Sequence, residues 1–416
     1  MITIKPFKAI RPKDEFVSNV ASLPYDVFSR EEAKKYVEEK PFTFLRIDRP
    51  ETNFSTNIDM YSDEVYEKAL FLLNEWITKG ILIEDNEKGF FIYEQTLFLG
   101  EEAHTQTGLV CLSSTDDYIN NRIKKHENTV NEKQKDRYNH IKKLNAHTGP
   151  IFLTYKQKDE ITNEINNIKI NSEPLYELNT NNPKTKTRVW GVYDKSIISF
   201  LKNAFLNIEC TYIADGHHRA KSAINVGLEK KDNEEAQYFL SIIFPSNELQ
   251  ILPYNRYVCD LNGYTLDEFL NKIKEVANIE IINIKKENDF KVENKNEIIM
   301  YINNTFYKLK FLKKVISKNQ GDIINSLDTT ILQDYILDKI LGIKDPKEDK
   351  RIEFIGGIKE NTYLLDKVRN NGGVCFFLYP VNINELLQVA DENKLMPPKS
   401  TWFEPKLLSG LFIHKF

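Results

Sequence analysis

The sequence predicts an α+β protein built from about two or three closely packed subdomains. Three observations lead there. Short aliphatic and aromatic runs of strand length alternate with longer segments whose apolar residues recur at helical spacing. No period of roughly 20 to 50 residues repeats, which excludes a solenoid. The 416 residues contain no Gly/Ser-rich or Pro-rich linker, so the parts are expected to pack around a shared cleft, with cuts near 115 and 260 that divide the chain into 1–115, 116–260 and 261–416.

In chain order, Ser29 with Glu32 forms a capping box for a helix over 31–39 that stops at Pro41. Residues 43–47 read as a strand, with Arg46 and Asp48 at its end beside Asp26 as candidates for a polar cluster. Val65, Ala69, Leu72, Leu73, Trp76 and Ile77 define a helix over 62–79 that Gly80 ends. Strands follow over 81–83, 89–99 and 107–112, then a polar helix over 131–145 and a strand to Tyr155. The Asn-rich, charge-rich stretch 156–187 reads as hairpin and loop. A strand over 188–194, a helix over 196–205, a strand over 211–214 and a helix from His218 to Val226, ending near Gly227, come next. Strands over 236–244 and 249–258 lead into 261–316, a helix with edge strands turning at Asn303-Asn304. A helix over 326–340, a strand over 351–355, the Gly356-Gly357 turn, a helix, a strand over 374–379 and a helix over 383–392 complete the pattern.

Composition bounds the function. Hydrophobic residues at 41% and charged residues at 28% are those of a globular protein. The net charge of −4 argues against a broad nucleic-acid surface. Cys111, Cys210, Cys259 and Cys375 lie far apart, which indicates neither a disulfide framework nor a zinc knuckle and fits a reducing compartment. With no basic-then-apolar leader and no run near the roughly 20 apolar residues of a membrane span, a cytoplasmic protein without membrane partners is expected.

Chemistry concentrates in Thr211-Tyr212-Ile213-Ala214-Asp215-Gly216-His217-His218-Arg219-Ala220. A strand that breaks at Asp215-Gly216 and restarts as a helix aims free N–H groups and a positive dipole end at whatever lies above the turn, which suits an anion. Gly216 permits a positive φ and a close approach, Arg219 offers a fork for phosphate oxygens, and Asp215, His217 and His218 add acid–base or metal-holding capacity. His126-Glu127-Asn128-Thr129 precedes a polar helix and reads equally well as a helix cap. Near the C-terminus, Pro397-Pro398-Lys399-Ser400-Thr401-Trp402-Phe403 presents a cation, two hydroxyls and consecutive N–H groups to a phosphate, or packs as an arm on its aromatic residues. Arg256 is a candidate anion contact or a structural ion pair.

Asp215-Gly216-His217-His218-Arg219-Ala220 resembles the signature of the ParB/sulfiredoxin-like nucleotide-binding fold in the version carried by free-serine kinases. The whole chain further resembles a large prokaryotic family of comparable length, formerly catalogued only as a domain of unknown function. Its marks occur in order: Pro24-Tyr25-Asp26-Val27, Phe44-Leu45-Arg46, His126-Glu127-Asn128-Thr129, the Asp-Gly-His-His-Arg turn, Leu252-Pro253-Tyr254-Asn255-Arg256, Phe354-Ile355-Gly356-Gly357 and the Pro397–Phe403 segment. The serine kinases are much shorter and match only the central part.

The resemblance implies a ParB/sulfiredoxin-like core over 116–260, elaborated by mixed α/β subdomains, and phosphoryl transfer between ATP or ADP and the hydroxyl of free L-serine, or the reverse from O-phosphoserine. It makes Glu127 the catalytic carboxylate, with Asp215, His217 and His218 as further catalytic groups. Nucleotide phosphates are expected at Gly216, His218 and Arg219 and at Lys399, Ser400 and Thr401, substrate at His126, Thr129, Arg137 and Arg256, and Mg²⁺ at Asp215. Arg122 and Lys125 are further cations for a carboxylate or phosphoryl group. Two other classes stay open: a ParB-like nucleotide switch without kinase activity, and a metal-dependent hydrolase liganded by Asp215, His217 and His218.

Overall fold

The long aliphatic and aromatic runs Phe90–Leu99 and Glu102–Ser114 become the two longest strands, of 10 and 13 residues, and pair from Phe91 opposite Val110 to Leu99 opposite Glu102, with Ile92 opposite Leu109 and Tyr93 opposite Gly108. They form the middle of a nine-stranded mixed sheet. The computed structural model describes every residue except Val130, Asp289 and Gln320, and the chain divides into two units, residues 1–249 with 405–416 and residues 250–404.

In the first unit the sheet strands are β1 (Ile4–Lys5), β2 (Phe90–Leu99), β3 (Glu102–Ser114), β4 (Ile123–Lys124), β5 (Ile151–Tyr155), β6 (Tyr176–Asn181), β7 (Lys184–Val192), β8 (Thr211–Asp215) and β9 (Tyr238–Pro245). Their order is β4-β8-β5-β9-β3-β2-β7-β6, with β1 beside β3. The pairs β4/β8 and β5/β9 are parallel. The helices are α1 (Arg30–Glu39), α2 (Asp63–Thr78), α3 (Asn131–Leu144), α4 (Asp159–Asn171), α5 (Lys195–Leu206) and α6 (His217–Glu229). The capping box of α1 forms as its sequence requires, Ser29 Oγ accepting from the Glu32 N–H and Glu32 Oε2 accepting from the Ser29 N–H. Ile92, Leu109, Leu153, Phe205, Ile213, Ala220, Ala223 and Phe239 share the main core, and a second cluster joins Phe44, Ile47, Leu73, Trp76 and Ile413.

Several elements differ from the sequence reading. Residues 43–47 do not form a strand: Leu45–Asp48 is a helical turn, because Phe44 and Ile47 both bury against Trp76 and so must share one face, which a strand cannot offer to residues three apart. The supposed loop 156–187 contains α4, whose Ile161, Ile165 and Ile168 bury at helical spacing among polar neighbours. Gly227 lies inside α6, where it allows close approach: a Cβ there would stand 2.7 Å from the Ala236 carbonyl oxygen. The expected cut near 115 falls at the end of β3, within the large sheet, and the chain re-enters the first unit after Glu404.

The second unit carries an antiparallel sheet of β10 (Tyr254–Val258), β11 (Ala277–Ile282), β12 (Glu297–Ile302), β13 (Thr305–Phe311), β14 (Ile352–Gly356) and β15 (Val374–Leu378), in the order β11-β13-β12-β15-β10-β14. Asn303 and Asn304 make the expected turn, with φ of +46° and +56°, but β12 and β13 are interior rather than edge strands. The helix expected over 326–340 is shorter, Asp328–Leu332 followed by a π-type turn over Gln333–Leu337. Among the described residues no helix is long and apolar enough to cross a membrane.

Candidate functional site

Strand β8 is buried through Thr211, Tyr212 and Ile213. Its register against β5 then slips between Ile213 and Asp215: Ala214 is the extra residue of a bulge, and Asp215 pairs opposite Phe152 at the end of the ladder. Gly216 follows with φ +93° and ψ +29°, the residue before the first turn of α6. A side chain here would be strained by that φ, and its Cβ would meet the Arg219 guanidinium at 3.1–3.3 Å. Arg219 folds back over the glycine and donates from Nη1 to the Pro150 carbonyl at 2.8 Å. Asp215 Oδ1 accepts from the Gly216 N–H at 2.8 Å, and its Oδ2 pairs with Lys406 Nζ at 3.0 Å. Burial opposes its charge, but Lys406 and then Arg219 outweigh burial and hold the carboxyl well below the usual range.

Asp215 was also the expected Mg²⁺ ligand. With one oxygen on a backbone N–H and the other on an ammonium, the carboxylate does not fit direct metal ligation, because a cation would have to displace Lys406 from it.

His126 and His217 meet beside this turn with ring centroids 4.5 Å apart and planes at 87°. The His126 backbone N–H points to His217 Nε2 at 3.5 Å, and His217 Nδ1 lies 3.8 Å from Glu127 Oε2. Burial lowers the pKa of both imidazoles, that of His126 to about 4 and that of His217 well below its ordinary value. At neutral pH both are therefore uncharged, and a His217 that accepts at Nε2 carries its proton on Nδ1, toward the Glu127 carboxylate. His126, Glu127, Asp215, Gly216, His217 and Arg219 thus come together, with His218 on the same helix turn.

Other candidates are otherwise engaged. Thr129 Oγ1 donates to Gln134 Oε1 at 3.0 Å. Arg122 pairs with Asp117 at 2.6 Å. Arg137 is buried against Asp136 at 2.7 Å, donates to the Asp48 carbonyl at 3.1 Å and lies 4.1 Å above the Tyr25 ring. Burial and the nearby Lys221 lower the pKa of Lys125.

Arg256, Lys399, Ser400 and Thr401 belong to the second unit. Buried Arg256 donates to the Tyr254 carbonyl and, at 2.9 Å, to the Lys399 carbonyl, and stacks 4.5 Å from the Phe354 ring. Burial lowers its pKa to about 9. Ser400 Oγ donates to the Pro397 carbonyl at 2.8 Å, and Tyr254 meets Trp402 edge to face at 5.1 Å. Three sequence marks therefore converge in one clasp, and the Arg256 and Ser400 donors expected to meet an anion are turned onto carbonyls instead.

Sequence reasoning missed Lys406 as the partner of Asp215, the Pro150 carbonyl that holds Arg219, and the buried polar groups behind the turn. Only the charge of Lys406 was visible, with nothing to tie it to a residue 191 positions earlier.

A family described as "Protein of unknown function (DUF1015)" matches residues 4–330. The chain belongs to this family. Among curated proteins none matches. Three solved structures illustrate the likeness to known folds. A free serine kinase in complex with AMP is 13% identical, over 71% of this chain and 86% of that one, with a TM-score of 0.33. SbnI with C-terminal truncation from Staphylococcus aureus is 12% identical, over 72% and 85%, at 0.38. A conserved hypothetical protein from Pyrococcus furiosus is 12% identical, over 71% and 90%, at 0.31. At such scores the likeness carries no argument about the site of this family member.

Proposed function

We propose that this DUF1015 protein is a nucleotide-dependent phosphotransferase whose acceptor is the hydroxyl of free L-serine, working on a ParB/sulfiredoxin-like core, with ATP or ADP as donor. The observation that carries the reading is the approach of Glu127 Oε2 to within 3.8 Å of His217 Nδ1, beside the helix start that Gly216 opens. A carboxylate beside a helix N-terminus joins a proton acceptor to an anion cradle, and phosphoryl transfer needs both.

In this reading the serine Oγ attacks the terminal phosphorus of the nucleotide. The new P–O bond forms as the bond to the bridging oxygen breaks, the Oγ proton passes to Glu127, and the shortened nucleotide leaves with the bridging electron pair. The N–H groups of the α6 first turn and the Arg219 guanidinium receive phosphate oxygens, while Lys406 keeps Asp215 from repelling them. Neutral His217 turns its Nδ1–H toward the Glu127 carboxylate, 3.8 Å away, without adding a competing charge.

Incubation with labelled ATP or ADP and a pool of amino acids tests this reading, with labelled O-phosphoserine as the expected product. Glu127→Gln is expected to lower kcat by roughly 10²–10⁴ while nucleotide binding persists. Full turnover by that variant removes Glu127 from the reaction, and no transfer from either nucleotide to any amino acid removes the kinase reading.

A further inference from the structure

Behind the Gly216 turn lies a partly enclosed space with both apolar and polar walls. A cavity of about 20 Å³ is lined by Tyr25, Asp48, Arg137, His140, His147 and Arg219 among others, more than the roughly 10–15 Å³ one water molecule needs. Most of its polar wall is committed elsewhere. Thr148 Oγ1 donates to Asp48 Oδ1 at 2.8 Å, His140 Nε2 donates to the Ile47 carbonyl at 2.8 Å, and Arg137 and Arg219 each donate to a carbonyl. One group differs: His147 is only 5% exposed, and its Nε2 has no hydrogen-bond partner among the described residues.

The opposite edge of that ring begins a chain to the surface. His147 Nδ1 lies 3.2 Å from His414 Nδ1, with the rings stacked at 5.4 Å, and His414 Nε2 lies 3.5 Å from Glu235 Oε2. Glu235 reaches the surface, where Lys5 and Lys88 also pair with it. One proton placement suits the whole chain, although at 3.5 Å the approach of His414 Nε2 to Glu235 is short of a full hydrogen bond. His414, foremost among its partners, holds Glu235 ionised, and a carboxylate only accepts, so His414 carries its proton on Nε2. His414 Nδ1 is then an acceptor, His147 must donate from Nδ1, and a bare lone pair remains on His147 Nε2. Burial lowers the pKa of both imidazoles and keeps them neutral.

We propose that this cavity holds a single ordered water that donates a hydrogen bond to His147 Nε2, in an orientation set from the surface by Glu235 through His414. Asp48 also lines the space and can accept its second hydrogen, with Arg137 and Arg219 in the same wall. The water braces residues 147–150, whose Pro150 carbonyl anchors Arg219. Glu235, His414 and His147 are thereby positioning residues for Arg219, whatever anion that arginine meets.

Long-range ¹H–¹⁵N NMR of the full-length protein at neutral pH reads each tautomer, and a crystal structure reads the water. The expected result is the Nε2–H form of His414, the Nδ1–H form of His147, and solvent density about 2.7–3.2 Å from His147 Nε2. A His147 protonated at Nε2, or a cavity without solvent density, overturns the water site. Glu235→Ala removes the terminal acceptor and is expected to populate both tautomers of the pair; wild-type tautomers in that folded variant overturn the control by Glu235.

Discussion

Acid should weaken the first unit through His126 before it touches most carboxylates. The His126 imidazole is 1% exposed, and burial lowers its pKa from 6.5 to about 4. Its folded pKa lies below its unfolded one, so its contribution to stability is complete above about pH 6.5 and drains away as pH falls toward 4. Over those 2.5 units the loss is about 3.4 kcal/mol, at about 1.36 kcal/mol per unit. His140, His147, His217 and His414 are shifted in the same direction by burial and steepen the fall. All seven histidines of the sequence lie in the first unit, so this acid transition belongs to it alone. Urea unfolding of wild type and His126→Gln at pH 7, 6, 5 and 4 measures the effect, with tryptophan fluorescence of Trp76 and Trp190 in the first unit and Trp402 in the second. The variant is expected to start less stable and to lose less on acidification. Parallel pH profiles, or an NMR titration of His126 with a midpoint near 6.5, would refute the reasoning.

In the second unit the sign reverses. Asp328, buried beneath the Asn296 N–H, has its pKa raised from 3.8 to about 7 by burial, so it favours the fold below pH 4 and loses that advantage as pH rises through 7. Asp328→Asn should raise the stability of that unit at pH 8 by up to about 4 kcal/mol and flatten its pH profile, as denaturation of the variant would show. Gly216→Ala is expected to cost about 1–3 kcal/mol and to displace Arg219, because an alanine at φ +93° is strained and its methyl meets the guanidinium; an unchanged Tm would contradict that placement. Lys406→Met leaves Asp215 charged and without its ammonium partner, a loss of about 1.5–3 kcal/mol that is fully expressed above about pH 4 and shrinks as pH falls below it, and that can be followed by thermal unfolding.

The parts of this protein that the sequence alone determined are those in which a residue answers to its neighbours. Gly216 had to be glycine because a strand-to-helix turn there needs a positive φ, and Asp215, His217 and Arg219 follow from it within one helical turn. The Ser29–Glu32 capping box and the Asn303-Asn304 turn were legible for the same reason, since each is closed by backbone sterics or hydrogen bonds spanning a few residues. Local signals also misled: Phe44, Leu45 and Ile47 read as a strand until burial against Trp76 put two of them on one face, and the isoleucines of α4 were hidden by asparagine and charge. Only tertiary structure decided that Lys406 neutralises Asp215 across 191 residues, that His414 meets His147 across 267, and that residues 250–404 form a unit between two parts of the first. Such pairs carry no mark in either partner. A lysine or a histidine looks the same wherever it is bound, and its partner is chosen by how distant segments pack their apolar faces, a choice made by the whole chain at once.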